Sequence, residues 1–216
     1  MVDKAYILIV LKGEIPPYQQ LRPMSEKADK VICADGAADT LAAYGIEPDV
    51  VIGDMDSLAS RALTSSLSHQ FIQLEDQETT DSEKALNYCI EKGYKTVRLV
   101  GGFGKRIDHS LYNIELMKKF HAGLEDLSCY TAYERYFIVD GSTFLDEKPG
   151  TRVSISPVFG PVENLSLNGF EFNVRQVTLE FGVFSSLSNR ISETPAVIEF
   201  DKGLLLIMIS HSPDLE

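Results

Sequence analysis

The chain has 216 residues, which is enough for one large or two modest domains, and 44% of them are hydrophobic, enough for a packed core. Its formal net charge is -12, opposite in sign to the basic surfaces that hold nucleic acids or anionic membranes. The composition therefore predicts a globular protein with neither a nucleic-acid partner nor a membrane partner.

The first part of the chain alternates short apolar runs with amphipathic segments. Runs that are apolar on both faces predict strands buried within a parallel sheet. The predicted strands are 6–11, 30–34, 50–52, 69–74, 96–100 and 127–132. The predicted helices are 37–44, 57–67, 80–92 and 108–120. This alternation predicts an α/β domain over residues 1–134 with a mainly parallel, Rossmann-like sheet.

The pattern changes after residue 134. Short β-prone segments follow one another, separated by glycine and proline, and none has a helical period. The predicted strands are 136–139, 142–145, 152–156, 164–167, 174–179, 197–200 and 204–209. We therefore expect an all-β sandwich or barrel over residues 135–216.

Acidic residues follow the predicted strands of the first domain. Asp35 follows the second strand, Asp54 and Asp56 follow the third, and Asp81 opens a predicted helix. Side chains two residues apart in extended chain point the same way, so Asp54 and Asp56 can face one cation. Mg²⁺ prefers such oxygen ligands together with water and substrate phosphates. The alternative for Asp54 and Asp56 is that they cap the helix at 57–67. Asp81 alone is most simply a residue at the N-terminus of the helix at 80–92, which Thr80 or Asp81 is expected to cap.

A glycine-rich turn follows the strand at 96–100. Small residues between a strand and a helix let backbone amides approach phosphate, and the helix N-terminus adds positive potential. The turn is neither a GxxxxGK[ST] loop nor a GxGxxG fingerprint. The candidate phosphate-binding residues are Gly101, Gly102, Gly104, Lys105, Arg106, Asp108 and His109. The alternative is that Asp108 caps the next helix and His109 lies on its surface.

The 3 cysteines, at 33, 89 and 129, are far apart and include no CxxC pair, which argues against a disulfide framework or a zinc site. Cys33 lies in an apolar run and is expected to be a buried small hydrophobe. No charged and apolar leader opens the chain, and the apolar run at 5–11 is too short to span a bilayer. We therefore expect a cytoplasmic protein.

These motifs, in their order and spacing, resemble those of thiamine pyrophosphokinases, with the strongest match over residues 34–113. Ser188-Asn189 is similar to the short Ser-Asn motif with which that family contacts thiamine. Animal members stack a tryptophan on thiamine near that motif, whereas this chain has Trp 0, so it looks like the bacterial type. Its apolar contact is then expected from Ile191 or a phenylalanine.

The resemblance implies that the chain converts thiamine and ATP to thiamine diphosphate and AMP with Mg²⁺. It further implies a β-sandwich as the second domain and a homodimer with thiamine bound between subunits. Asp35, Asp54, Asp56 and Asp81 would hold metal and pyrophosphate. Asp54, Asp56, Asp81 and Arg106 would be catalytic. The glycine turn with Lys105, Arg106, Asp108 and His109 would bind ATP. Gln77, Asp81, Ser188 and Asn189 would contact thiamine.

Two other functions remain open from the sequence. One is a pyrophosphokinase or phosphatase that acts on another heterocyclic alcohol, such as a pterin, with the same acidic site. The other is a non-catalytic module that binds nucleotide or thiamine. For the pyrophosphokinase reaction, the hydroxyl of the acceptor would attack the β-phosphorus of ATP, with Asp81 or Asp54 accepting its proton.

Overall fold

A computed structural model describes residues 5–53, 70–73, 78–183 and 186–211. Its contacts divide the chain into two compact units, Met1–Ala132 and Tyr133–Glu216. Among the helices formed by those described residues, none is long and apolar enough to cross a membrane.

The first unit alternates strands with helices. Its strands are β1 Ile7–Val10, β2 Lys30–Ala34, β3 Val50–Gly53, β4 Gln70–Gln73, β5 Thr96–Val100 and β6 Asp126–Tyr130. Its helices are α1 Tyr18–Lys27, α2 Ala38–Ala43, α3 Asp81–Glu91 and α4 Ile107–His121, and a 3₁₀ turn at Asp35–Ala37 precedes α2. The α/β architecture expected from the sequence is confirmed. The helix predicted at 57–67 lies outside the described residues.

The strands of this unit lie in the order β6-β5-β1-β2-β3-β4, and their pairings are parallel. The chain adds β2, β3 and β4 on one side of β1, then returns to add β5 and β6 on the other side. The strand order therefore reverses between β1 and β5. In open parallel sheets, ligands bind beyond the carboxyl ends of the strands at such a switch point.

The burial of these strands explains why they could be predicted from apolar runs in the sequence. All four residues of β1 and all four of β3 are buried. Cys33 is fully buried in β2, as expected, and its thiol donates to the Ala34 carbonyl at 3.0 Å. Leu8 and Val10 pack in one cluster with Leu21 of α1. A strand covered on both faces carries no polar alternation, which is the pattern of the sequence.

Within the described residues of this unit, α1 is the one α-helix that was not predicted from the sequence. It contains Pro23, which has no N–H to donate to the preceding turn and therefore disfavours a helix. Tertiary contacts hold it: Leu21 is 0% exposed, and the Tyr6 hydroxyl donates to the Met24 carbonyl at 2.7 Å.

The second unit consists of two antiparallel sheets. Its strands are β7 Glu134–Val139, β8 Thr143–Leu145, β9 Arg152–Pro157, β10 Val162–Asn168, β11 Val174–Leu179, β12 Ser186–Arg190, β13 Ala196–Glu199 and β14 Leu205–Ser210. The orders are β12-β9-β14-β7 and β11-β10-β13-β8. One core, which includes Ile155, Leu165 and Ile207, draws on strands of both sheets. The all-β prediction is confirmed in this form. The barrel alternative and the Rossmann-like comparison are not established by these observations.

Candidate active site

Two loops beyond the carboxyl ends of β1 and β5 are joined by backbone hydrogen bonds. The Leu11 amide donates to the Val100 carbonyl at 2.9 Å, and the Gly13 amide donates to the Gly101 carbonyl at 2.8 Å. The Glu14 amide then donates to the Phe103 carbonyl at 2.8 Å. The glycine turn predicted from the sequence is therefore half of a paired structure, and the loop after β1 is the other half.

Glycine is required where these loops touch. Gly101 has φ +72°, and a Cβ built on it would lie 2.1 Å from the Leu11 carbonyl oxygen. A Cβ on Gly13 would lie 2.2 Å from the Gly101 carbonyl oxygen. Because both obstacles are backbone atoms, a side chain at either position would separate the loops.

Helix α4 and strand β5 both contact the glycine turn. The side-chain amide of the buried Asn113 on α4 donates to the Gly102 carbonyl, and a Cβ built on Gly102 would lie 2.5 Å from Cδ2 of Leu99 on β5. Downstream, Lys105 has φ +60°, a conformation that costs a non-glycine residue about 1–3 kcal/mol and is concentrated at functional sites. Its ammonium donates to the Lys12 carbonyl at 3.2 Å.

A cavity of about 360 Å³ lies at this switch point. The sequence-predicted residues that line it are Asp81, Gly101, Gly102, Gly104, Lys105, Arg106 and His109. Sequence analysis missed further lining residues, which include Lys12, Gly13, Thr80 and Asn113. Lys12 and Gly13 follow β1 as the other site residues follow their strands, so the same signal could have identified them. Asn113 lies mid-helix, where no sequence pattern distinguishes it.

The start of α3 borders the cavity. Thr80 caps the helix, and its hydroxyl accepts from the Glu83 amide at 3.3 Å. This leaves Asp81 as the first helical residue, with its side chain 41% exposed and 3.9 Å from the buried Lys84 ammonium. A carboxylate at a helix N-terminus is favourable, and one partly open to a cavity is also available to a cation.

The start of α4 carries an ion pair. The Arg106 guanidinium donates two hydrogen bonds to the Asp108 carboxylate, one from Nε to Oδ1 at 3.1 Å and one from Nη2 to Oδ2. The same carboxylate accepts from the His109 amide at 3.0 Å. The Arg106 hydrogen bond is the main cause that lowers the pKa of Asp108 to about 2. Arg106 and Asp108, which were both predicted to bind ATP, are therefore partners, and phosphate binding by Arg106 would compete with Asp108.

A buried carboxylate joins the two helices that border the cavity. Glu83 of α3 is 4% exposed and accepts hydrogen bonds from the Tyr112 hydroxyl and the Lys119 ammonium, both on α4. The hydrogen bond to Glu83 is the main cause that raises the pKa of Tyr112. Asp81 at the start of α3 and Arg106 at the start of α4 line the cavity, so these hydrogen bonds link the two helices that border it.

The described residues include only part of the predicted metal and thiamine sites. Asp54, Asp56 and Gln77 lie outside the described residues, and for Asp35 only the backbone is described, in the turn after β2. Over the described ranges, no group of three or more His, Cys, Asp or Glu side chains is arranged to hold a metal ion. The four-carboxylate site therefore stays a prediction.

Ser188 and Asn189 lie on β12 of the second unit. Ser188 is exposed with φ +56°, and its amide donates to the Ser154 hydroxyl at 2.9 Å. Asn189 is 2% exposed. Its amide group makes hydrogen bonds to Phe172, Arg190 and Ser186, so a direct bond to thiamine would have to replace one of them. The direct contact also stays a prediction. Ile191, one expected source of an apolar contact, is 1% exposed.

Two family models match the chain, one within each unit. The catalytic domain of thiamin pyrophosphokinase matches residues 21–127, and the vitamin B1 binding domain of thiamin pyrophosphokinase matches residues 143–205.

Individual relatives agree with these matches. Thiamine pyrophosphokinase of Bacillus subtilis (strain 168) is 24% identical over 83% of this chain and 86% of its own length. Thiamine pyrophosphokinase 1 of Oryza sativa subsp. japonica is 23% identical over 93% of this chain and 86% of its own length. The crystal structure of the thiamine pyrophosphokinase from Bacillus subtilis shares the fold, with a TM-score of 0.83, 23% identity, and coverage of 96% of this chain and 99% of that one. Since the two models lie in order and together cover most of its length, the chain belongs to the thiamine pyrophosphokinase family.

Proposed function

We propose that this protein transfers a pyrophosphoryl group from ATP to the hydroxyl of thiamine, giving thiamine diphosphate and AMP. The observation that carries the proposal is the cavity at the β1/β5 switch point, where a glycine turn, cationic side chains and the start of α3 meet. Family membership supplies the substrates, and the cavity supplies groups suited to a nucleotide polyphosphate.

In this mechanism the protein positions the reactants and balances their charge. Lys12, Lys105 and Arg106 border the cavity and would attract the polyphosphate of ATP. Arg106 would exchange part of its pairing with Asp108 for a phosphate oxygen. Backbone hydrogen bonds join the loops after β1 and β5, so the backbone that would face the phosphates is already ordered and little reorganisation would be required at the moment of reaction.

Mg²⁺ belongs to the same proposal. Asp81 presents a partly exposed carboxylate to the cavity, and Ala34, the residue before Asp35, also lines it. Neighbouring strands β2 and β3 end at Ala34 and Gly53, and Asp54 follows Gly53 in the sequence. Carboxylates at adjacent strand ends suit a hard cation, and Asp35, Asp54, Asp56 and Asp81 would hold it. When bound, Mg²⁺ would offset negative charge on the polyphosphate.

Proton transfer from the thiamine hydroxyl requires an acceptor at the cavity. Asp81 is the described carboxylate that lines it, and Asp54 is the other candidate. A carboxylate in this position would orient the hydroxyl toward the β-phosphorus and accept its proton as the oxygen bonds to phosphorus and AMP leaves.

Product analysis by mass spectrometry tests the proposal. With Mg²⁺, ATP and thiamine, we expect thiamine diphosphate and AMP in equal amounts. AMP formation with a pterin alcohol but not with thiamine would favour the other acceptor class, and thiamine binding without any AMP would favour a binding module.

Asp54→Asn should lower turnover about a hundredfold, the usual size of an oriented charge effect. Glu91→Gln, exposed at the end of α3, is the matched control and should keep its activity.

The finer expectations from the sequence belong to this proposal as well. They are the Rossmann-like character of the first unit, a homodimer with thiamine bound at the subunit interface, and a cytoplasmic location. Light scattering at the assay concentration tests the dimer directly. A monomeric mass for an active sample would refute the homodimer.

A further inference from the structure

Lys12 follows β1 at the point where two neighbouring loops of the first unit meet. The parallel register places Val10 of β1 beside Cys33 of β2 and also beside Val100 of β5. Lys12 comes two residues after Val10, so it leaves the sheet between the turn at Asp35–Ala37 and the glycine turn after β5. One of these turns carries a predicted metal ligand, and the other is the predicted phosphate-binding turn.

The side chain of Lys12 runs across Gly36. A Cβ built on Gly36 would lie 2.5 Å from Cδ of Lys12 and 3.2 Å from both Cε and Nζ, and these are the three nearest atoms. The backbone of Gly36 does not have a positive φ, so its conformation does not itself require glycine. Glycine at this position therefore leaves the space that the Lys12 side chain occupies.

Backbone and charge both direct Lys12 to the cavity. Its carbonyl accepts from the Lys105 ammonium at 3.2 Å, which joins it to the loop after β5. It lines the cavity together with Ala34, the last residue of β2. Within the described residues the Lys12 ammonium takes part in no ion pair, so its charge is available to an anion in the cavity.

We propose that Lys12 binds the pyrophosphoryl group that is transferred, and that Gly36 is the positioning residue that makes room for its side chain. The inference rests on the proposed function and assigns one more residue of the same site. Lys12 crosses the turn that carries Asp35, which is expected to hold metal and pyrophosphate. Its ammonium therefore lies on the side of the cavity where the β- and γ-phosphates of ATP are expected, and an ammonium is a compact charge suited to phosphate oxygens.

Lys12 would act by its charge and would form no covalent bond. The thiamine oxygen bonds to the β-phosphorus, the bond from that phosphorus to the oxygen that bridges it to the α-phosphorus breaks, and AMP leaves with that oxygen. The hydroxyl proton goes to Asp81 or Asp54, and Lys12 keeps its own protons. Lys12 would donate hydrogen bonds to the pyrophosphoryl group before and after transfer. It should therefore contact ATP and thiamine diphosphate, but not AMP.

Calorimetric titration with three ligands, each with Mg²⁺, tests the contact without turnover. Lys12→Ala should weaken binding of α,β-methylene ATP and of thiamine diphosphate about tenfold, the lower end for a hydrogen bond from a charged group because Lys12 is exposed. AMP affinity should stay within about twofold of wild type, which also shows that the site remains folded. Lys95→Ala is the matched control, because Lys95 is exposed immediately before β5, at the end of the strand away from the cavity, and should change none of the three affinities.

The role of Gly36 requires a double-mutant cycle. Gly36→Ala displaces the flexible end of the Lys12 side chain without removing its charge. It should weaken binding of α,β-methylene ATP about three- to tenfold in the wild-type background. In the Lys12→Ala background it should add less than about twofold, because no long side chain remains to be displaced. Equal losses in both backgrounds would mean that the substitution disturbs the turn itself, and would overturn the positioning role.

The outcomes separate this inference from the proposed function. If the wild-type protein forms no thiamine diphosphate from ATP and thiamine, the proposed function fails. If wild type forms it and Lys12→Ala binds α,β-methylene ATP and thiamine diphosphate as wild type does, the inference is refuted and the proposed function stands. If Lys12→Ala weakens AMP as much as α,β-methylene ATP, Lys12 does not distinguish the transferred group from the rest of the nucleotide, and the inference is also refuted.

Discussion

The contact between Gly101 and the loop after β1 provides a quantitative test of the paired-loop structure. Gly101→Ala imposes two costs. The first is conformational, because φ is +72° and an L-residue in that region costs about 1–2 kcal/mol. The second is steric, because the new Cβ would lie 2.1 Å from the Leu11 carbonyl oxygen.

The steric cost can be relieved only if the two loops separate. Separation would lose the hydrogen bond from Leu11 to Val100 at 2.9 Å and that from Gly13 to Gly101 at 2.8 Å. At about 1 kcal/mol each, these losses bring the expected destabilisation to about 3–4 kcal/mol. ATP affinity should fall as well, because the same loops border the cavity.

Gly45→Ala is the matched control for the conformational cost. Gly45 has φ +63°, and a Cβ built there meets no atom within 4 Å, so only the first cost applies. Urea unfolding followed by far-ultraviolet circular dichroism measures both variants under the same conditions. If the two substitutions lower the free energy of unfolding equally, within about 0.5 kcal/mol, the close approach of the loops is refuted.

Three other predictions concern ionisable groups. Glu83→Gln weakens the tie between α3 and α4 and should destabilise the protein by about 1–3 kcal/mol in urea unfolding, whereas Glu91→Gln, exposed on the same helix, should change stability little. The pKa of Asp108 lies near 2, below its usual value of 3.8, so its pairing with Arg106 stabilises the fold above pH 3.8 and is lost as the pH falls toward 2. NMR titration should show that midpoint and its return toward 3.8 in Arg106→Gln; an unchanged midpoint would exclude the pairing. All three cysteines are buried, and burial raises the pKa of Cys89 and of Cys129 to about 12, so a thiol reagent at pH 8 should label none in the native protein and all of them in urea. Rapid native labelling would contradict this.

Several strands and helices could be predicted from the residues of a single segment. The predicted strands at 30–34 and 96–100 coincide with β2 and β5, because most residues of both strands are buried and most of them are apolar. The helix at 80–92 is confirmed as α3 with Thr80 as its cap, since capping depends on residues three apart.

Two elements could not be predicted in this way, because their residues lack the usual pattern of a helix or a strand. Helix α1 contains Pro23, and the residues of β12 alternate neither in polarity nor in burial, so neither element was predicted. Packing of Leu21 in the first unit and pairing of β12 with β9 in the second unit supply the stability that local preference lacks.

The sequence by itself determined the order of most strands and helices and the polar residues that follow them. It did so because buried segments have a characteristic pattern of apolar residues. Only the tertiary structure decided which of those ends meet and what each polar group pairs with. Gly101 pairs with Gly13, the Glu83 carboxylate pairs with Tyr112 and Lys119, and the Asn189 side chain pairs with Phe172. Each of these partners lies 17 or more residues away along the chain. Such pairings depend on which distant segments the tertiary fold brings together, and the residue pattern within one segment does not specify this.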